Sequence, residues 1–580
     1  MGRTILAAVA VLSVTALAGS ATAAPGVVHG HFDRPQEDFA SAGTRLRDGS
    51  PEDVGLDPRP IDAALRQIAL WTEKTPDREH PMYAGAVSLL VHDGVVVRRE
   101  AVGREVRYAD ASGTELPADQ QEPMRTDTIF DVASISKLFT SIAVLQLVDA
   151  GEVGLDDPVA EYLPEFGVNG KESITIRQLL THTSGLQAEA QLWKLPPEQR
   201  IPWIMQLTPE HPPGTHYTYS DPNMITLGLL VERVAGAPLD QVVAERITGP
   251  LGMTDTGYNP PASELHRIAA TEYELDPPRG MVRGQVHDEN AWSLGGVAGQ
   301  AGVFSTADDL AKLGQALLNG GVYGGHRVLS EDAVEQMLTN FNSAFPGNAH
   351  GLGFELDQRW YMAGLSAPRT AGHTGFTGTS LVIDPASRSV VVLLTNRVHP
   401  SRDWGSNNAA RQALAQGLAQ ALAVDPARGS WSWYADPARP ATLTTDALGP
   451  VSGAAQVSFN AFVDTQRDSD GVDPLIVESS VDGVSWNPVP LRVSGPGAPD
   501  DPQSALAGAG HRNWWKVRGT VEADAGQQVR LRWRYAPDAR YVGRGVNVDG
   551  ILVADRNATL LDGELETERL HPDGWVSTSR

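Results

Sequence analysis

Ser134 and Lys137 stand three residues apart, a spacing that puts a hydroxyl and an amine on one face of a helical turn. A serine hydroxyl is a poor nucleophile until something takes its proton. A lysine desolvated in a cleft can become basic enough in its neutral form to do so. Lysine is scarce in this chain, and this one opens an otherwise apolar stretch containing Leu138, Ile142, Leu145 and Val148. A polar surface pair would show the same spacing, but the apolar flanks favour chemistry. Two further clusters could complete such a site. His216-Tyr217-Thr218-Tyr219-Ser220-Asp221 alternates aromatic and polar residues ahead of Pro222. Tyr219 could relay a proton between nucleophile and leaving group, although a packed tyrosine with Asp221 as helix cap would give the same pattern. Gly372-His373-Thr374-Gly375-Phe376 precedes a strand-like run, and its glycines let backbone approach a substrate. A backbone N–H there, paired with that of Ser134, could hold a developing oxyanion. A simple turn would account for the glycines as well.

Such residues need elements to position them. Apolar spacing predicts helices over 61–71, 130–150, 223–234, 306–318 and 408–422, with a short one at 175–180. Residues 84–91 and 95–97 flank His92-Asp93-Gly94 as strand, tight turn and strand. Residues 379–384 and 389–395 make a second pair, and the unbroken apolar run 390–394 marks a buried strand. One sheet is therefore expected from both ends of this unit, with helices between and on its faces. Beyond residue 425 the texture turns rich in Pro, Ala, Gly and Ser. Short strand-like runs at 457–463, 475–478, 515–521, 529–535 and 546–553 then predict an all-β sandwich.

At 580 residues the chain is too long for one hydrophobic core. It divides on this reading into a signal peptide (1–24), a strap (25–60), a catalytic unit (61–424), a linker (425–444) and the sandwich (445–580). Arg3, the apolar run 4–18 and the small residues Ser20 to Ala24 have the pattern of a secretion signal. The run is shorter than the roughly 20 residues a membrane-crossing helix needs. The expectation is a secreted protein with no transmembrane segment in the mature chain. The absence of cysteine removes disulfides, thiol nucleophiles, thiolate metal sites and a lipid-anchor cysteine. A net charge of -25 argues against nucleic acid and anionic membranes as partners.

Metal and cofactor signals are weak. His287, Asp288 and Glu289 are adjacent, and adjacent residues do not readily converge on one ion, so a hydrogen-bonded loop beside the cleft is expected instead. Asp464, Asp468, Asp470 and Asp473 are dense enough for a structural calcium ion, but they depart from the twelve-residue loop pattern and suit turns equally well. Trp431, Trp433, Trp514, Trp515 and Trp533 could offer sugar-stacking faces or fill a core.

Over roughly residues 60–420 the sequence resembles the penicillin-recognising serine hydrolases: class C β-lactamases, D-alanyl-D-alanine carboxypeptidases and related esterases and amidases. Ser134-Ile135-Ser136-Lys137 matches the family's Ser-x-x-Lys element. Tyr219-Ser220-Asp221 stands where the family has Tyr-x-Asn, and His373-Thr374-Gly375 where it has Lys-Thr-Gly or His-Thr-Gly. The passages at 179–186, 286–291 and 295–306 also resemble family segments. The resemblance implies an α+β fold, with an antiparallel sheet, flanking helices and an all-helical lobe, followed here by the sandwich. It implies that Ser134 is acylated, that Lys137 and Tyr219 move the protons, and that the N–H groups of Ser134 and Phe376 form the oxyanion hole. Asp221, His373, Thr374 and Gly375 would bind substrate, and no metal or cofactor is required. Two departures bear on substrate. Asp221 can only accept hydrogen bonds where asparagine also donates, and its charge would favour the ammonium form of Lys137. His373 replaces a permanently charged lysine. The expected activity is ester or amide hydrolysis on a small molecule or peptide. The alternatives are a catalytically silent peptidoglycan-binding or sensor protein and a β-lactamase. The carboxy-terminal unit loosely resembles jelly-roll modules, which implies attachment to cell wall, polysaccharide or protein.

Overall fold

The computed structural model describes residues 30–580 except 77, 469–470 and 539–542. The expected signal at 1–24 and Asp470 lie outside the described residues. The amino-terminal unit is built on one large sheet. Strands β1 (Gly85–His92) and β2 (Val95–Val106) form the hairpin expected around Asp93-Gly94. Strands β3 (Ala371–Thr374), β4 (Ser380–Asp384) and β5 (Ser389–Thr395) join them antiparallel, in the order β2-β1-β5-β4-β3. Glu355–Leu356 extends the β3 edge antiparallel, while Arg47–Asp48 adds a short parallel pairing beside β2. The unbroken apolar run in β5 now has its reason. Val390, Val392 and Leu394 enter one core with Val87, Leu89 and Val91, while Val391 and Leu393 enter a second with Leu90. Alternate side chains leave opposite faces of a strand, so a strand covered on both sides must be apolar at every position.

Helices supply both covers. Helix α1 (Pro58–Leu70) packs against α5 (Asn408–Ala421) over the second core. Helices α2 (Ser136–Asp149), α3 (Asp221–Ala235) and α4 (Ala307–Leu318) share the first. Their starts are locally encoded: Asp57 caps α1, Thr306 caps α4 and Ser220 caps α3, each side-chain oxygen accepting a backbone N–H of the first turn. The helix expected over 130–150 begins later than its periodicity suggests. Phe130–Asp131 pairs as a strand with Val303–Ser305, Ala133 sits at φ 48°, and Ala133–Ile135 forms a 3-10 turn before α2. A left-handed alanine cannot continue a right-handed helix. Long-range pairing therefore overrides local spacing at Ser134.

The carboxy-terminal strands form a seven-stranded and a five-stranded sheet enclosing one apolar core. Ser432–Ala435 and Ala441–Thr445, in the stretch read from sequence as a linker, are strands of these sheets. Trp433, Trp515 and Trp533 are buried in the core, which accounts for them as packing residues. The acidic residues considered for calcium are engaged separately. Asp464 accepts the Arg544 N–H, Asp473 accepts the Asp538 N–H, and Asp468 accepts the Gln466 amide, and among the described residues these three do not bring their carboxylates within 4.8 Å of one another. Arg512 ties the sandwich to β4 through a buried ion pair with Asp384 at 2.8 Å, and Arg544 donates to Leu422 O at 2.7 Å. Among the described residues no helix is long and apolar enough to cross a membrane.

Candidate active site

The turn carrying Ser134 is held from three sides. The buried Asp131 carboxylate accepts the N–H groups of Ala133 (2.8 Å) and His287 (2.6 Å). Val132 N donates to Val303 O at 3.0 Å, and Thr379 Oγ1 donates to Val132 O at 3.1 Å. Gly375 lies so close that an added Cβ would stand 2.4 Å from Val132 O and 2.1 Å from Thr379 Oγ1. Only glycine lets the end of β3 approach this turn. Asp131 escaped the sequence reading because a lone aspartate ahead of a helix resembles an ordinary cap. Its second partner lies 156 residues away.

Lys137 is buried and donates to Ser134 Oγ at 2.9 Å and to Gln300 O at 3.2 Å. Asp221 Oδ1 stands 2.9 Å from the same Nζ. Because Ser220 caps α3, the Asp221 side chain is free to make that contact. Burial works against the ammonium, but Asp221 and Tyr219 together outweigh it and raise the Lys137 pKa above its ordinary value. The Tyr219 ring centre lies 4.8 Å from Nζ. Burial raises the Tyr219 pKa, and Lys137 opposes that rise. Among the described residues, neither the Ser134 nor the Phe376 backbone N–H has a hydrogen-bond acceptor, and both residues line the cavities around the hydroxyl.

His373, Thr374 and Gly375 line the first of these cavities with Ser134 and Tyr219. His373 differs from its expected behaviour. Its Nδ1 lies 2.9 Å from Thr374 O, and a carbonyl only accepts, so Nδ1 carries the proton. Burial, then Lys137, pushes the ring pKa down to about 3, leaving Nε2 as an unpaired acceptor. A neutral ring in this tautomer offers a substrate carboxylate no N–H from Nε2.

Glu355 lies in the same cavity beside Tyr361, and burial pushes its carboxyl up to about 7, with Tyr361 and Arg411 opposing. An unfolded glutamate ionises near 4.5, so the folded protein holds this proton more tightly between those values. The cost of ionising it grows from pH 4.5 to about 7 and is complete above that. Glu355→Gln is therefore expected to raise the unfolding temperature at pH 8 and change it little at pH 4.5. Equal shifts at both pH values would contradict this assignment.

His287 sits in a cluster that its immediate neighbours did not reveal. Its Nε2 lies 2.8 Å from Glu272 and 3.8 Å from Glu274, a trio with the donor types of a metal site. Arginines already engage these carboxylates, however. Arg279 pairs with Glu274, and Arg402 pairs with Glu272 and Glu289 at 2.5 Å each. The network fixes Arg402 and His287 around Phe376, whose ring stacks on His287 at 5.8 Å and lies 4.5 Å from the Arg397 guanidinium. A closed ion-pair network describes the trio better than an ion centre does. Asp288, beside it, accepts from Ala291 N and Gln300 Nε2, and burial and Asp221 push its carboxyl up to about 6.

Comparison with known proteins agrees with this architecture. The profile of the family described as Beta-lactamase matches residues 76–416. A protein of Escherichia coli (strain K12) named "Putative D-alanyl-D-alanine carboxypeptidase" is 34% identical over 388 residues, covering 61% of this chain and 86% of its own. Its counterpart in Salmonella newport (strain SL254) is 33% identical over 391 residues, with the same coverage. A solved class C beta-lactamase superposes with a TM-score of 0.50 at 19% identity, covering 63% of this chain and 97% of that one. The chain therefore belongs to the beta-lactamase family and is an enzyme of the serine-hydrolase fold.

Proposed function

We propose that the protein cleaves an ester or amide through an acyl-enzyme on Ser134, as an esterase or D-alanyl carboxypeptidase. The observation that carries this reading is the buried Lys137 ammonium donating to Ser134 Oγ at 2.9 Å with Tyr219 beside both. Asp221 keeps Lys137 charged, so the lysine serves best as an electrostatic partner of the forming alkoxide. Tyr219 takes the serine proton while passing its own to the leaving group, and the unpaired N–H groups of Ser134 and Phe376 receive the oxyanion. Water then attacks the acyl-enzyme carbonyl, giving a proton to Tyr219 as Tyr219 passes its own to the departing Ser134 Oγ, which frees the acid and restores the serine. The sandwich would attach the enzyme to cell wall or polysaccharide through polar loops, because several of its tryptophans are buried. The secretion pattern in the first 24 residues would place the enzyme outside the cell.

The test uses purified protein with a fluorophosphonate and a panel of aryl esters, D-alanyl-D-alanine peptides and a chromogenic cephalosporin. Labelling, ester turnover and slow or absent cephalosporin turnover are expected. Failure of wild type to label or turn over any of them would instead favour a silent binding protein. Rapid cephalosporin hydrolysis would restore the β-lactamase reading despite Asp221 and the neutral His373.

A further inference from the structure

The passage 179–186 takes no part in the chemistry assigned to Ser134, yet it closes on the segment that carries Tyr219. The short helix Ile176–Leu180 ends there, and His182 follows it at φ 57°, in the left-handed region. Few residues other than glycine adopt that region, and those that do are held in it by their surroundings. Thr181 O accepts the Asn342 amide at 3.0 Å, and Ser184 Oγ donates to Asn223 Oδ1 at 2.7 Å, which fixes the chain on either side. His182 itself is 2% exposed.

From this position one residue meets both N–H groups that flank Tyr219. His182 O accepts the Thr218 N–H at 2.9 Å, and His182 Nδ1 accepts the Ser220 N–H at 3.0 Å. The imidazole and phenol rings also meet, with 4.7 Å between centres. On its other side the tyrosine faces Ser134 and Lys137. An acceptor at Nδ1 requires the ring proton to sit on Nε2. Burial, then His350, Lys137 and His373, push the His182 pKa well below its ordinary value, so the ring stays neutral and Nδ1 stays an acceptor. A protonated ring would turn one N–H against another at Ser220.

We propose that His182 is a positioning residue, which fixes the Tyr219 phenol by taking the N–H groups on both sides of it. This rests on the reading of Tyr219 as the group that moves the serine proton. Misplacing a reacting group by about 1 Å costs about a hundredfold in rate, so a looser Tyr219 slows the chemistry and leaves substrate docking unchanged. Asparagine separates this role from catalysis by the ring itself. Its Oδ1 stands on Cγ as Nδ1 does in histidine, it accepts the same hydrogen bond, and asparagine tolerates the left-handed region. Leucine offers no acceptor.

The test is turnover of p-nitrophenyl acetate by the full chain, expressed per site titrated to completion with a fluorophosphonate, with a thermal melt on each preparation. His182→Leu is expected to lower kcat by roughly thirtyfold with KM within about threefold, while His182→Asn stays within about fivefold of wild type. Should His182→Leu fail to fold, His182→Gln, whose acceptor lies one bond too far out for the Ser220 N–H, is expected to show the same loss. In a Tyr219→Phe background the His182→Leu change should cost less than about threefold more, since no proton-moving phenol is left to place. Equal losses in His182→Asn and His182→Leu, or a further large loss in the Tyr219→Phe background, would overturn the positioning role while labelling upholds the hydrolase. Full turnover by Tyr219→Phe would overturn the role of that tyrosine and this one with it. Absence of labelling in wild type would overturn the hydrolase reading itself.

Discussion

Ser134→Ala is expected to lower ester turnover by roughly 10⁴-fold or more and to abolish fluorophosphonate labelling, the scale on which removal of an acylated serine acts. The fold should survive the change. Lys137 keeps Asp221 at 2.9 Å and Gln300 O at 3.2 Å when the hydroxyl is gone, so no buried ammonium is stranded. The turn itself is fixed by Asp131, Val303 and Thr379, none of which uses the Ser134 side chain. Steady-state kinetics and a thermal melt on the same preparation separate the two effects. Retention of more than a tenth of wild-type turnover in a properly folded variant would remove Ser134 from the mechanism.

Arg512→Leu is expected to cost about 3–5 kcal/mol, the range for removing one partner of a buried ion pair. Asp384 is wholly enclosed and, among the described residues, would keep the side-chain hydroxyls of Thr370 and Ser387 against its charge. Arg512 also donates to Leu365 O and lies 4.4 Å over the Phe32 ring, so the amino-terminal segment, β4 and the sandwich all meet at this guanidinium. Denaturant unfolding should show the loss in the earliest transition. The double variant Arg512→Leu/Asp384→Leu should recover much of it, because a matched apolar pair leaves no charge uncompensated. A single variant as stable as wild type would show that water reaches Asp384.

Periodicity and spacing were sufficient wherever the physics is local. The β1–β2 hairpin follows from Asp93-Gly94, the buried β5 from its unbroken apolar run, and α3, α4 and α5 from apolar residues at three- and four-residue intervals. The Ser134–Lys137 pair was legible for the same reason, since two residues one turn apart meet almost whatever surrounds them. Local spacing failed at 130–135, where pairing with Val303–Ser305 and the clamp of Asp131 replace a helix by a strand and a 3-10 turn. It failed again at Ser432–Ala435 and Ala441–Thr445, whose Pro-rich surroundings hide strands that become stable only against partners about 90 to 145 residues away.

The sequence by itself determined the meeting of Ser134 with Lys137, most of the strand and helix types and the serine-hydrolase class they belong to. Only the tertiary structure decided the states of the groups around that pair. Asp221 meets Lys137 because Ser220 takes the cap, His373 is neutral with Nε2 unpaired because burial and Thr374 O fix its proton, and His287 joins Glu272 and Glu274 in an ion-pair network. Charge state and hydrogen-bond direction depend on desolvation and on partners far along the chain, and neither is written in the spacing of neighbouring residues.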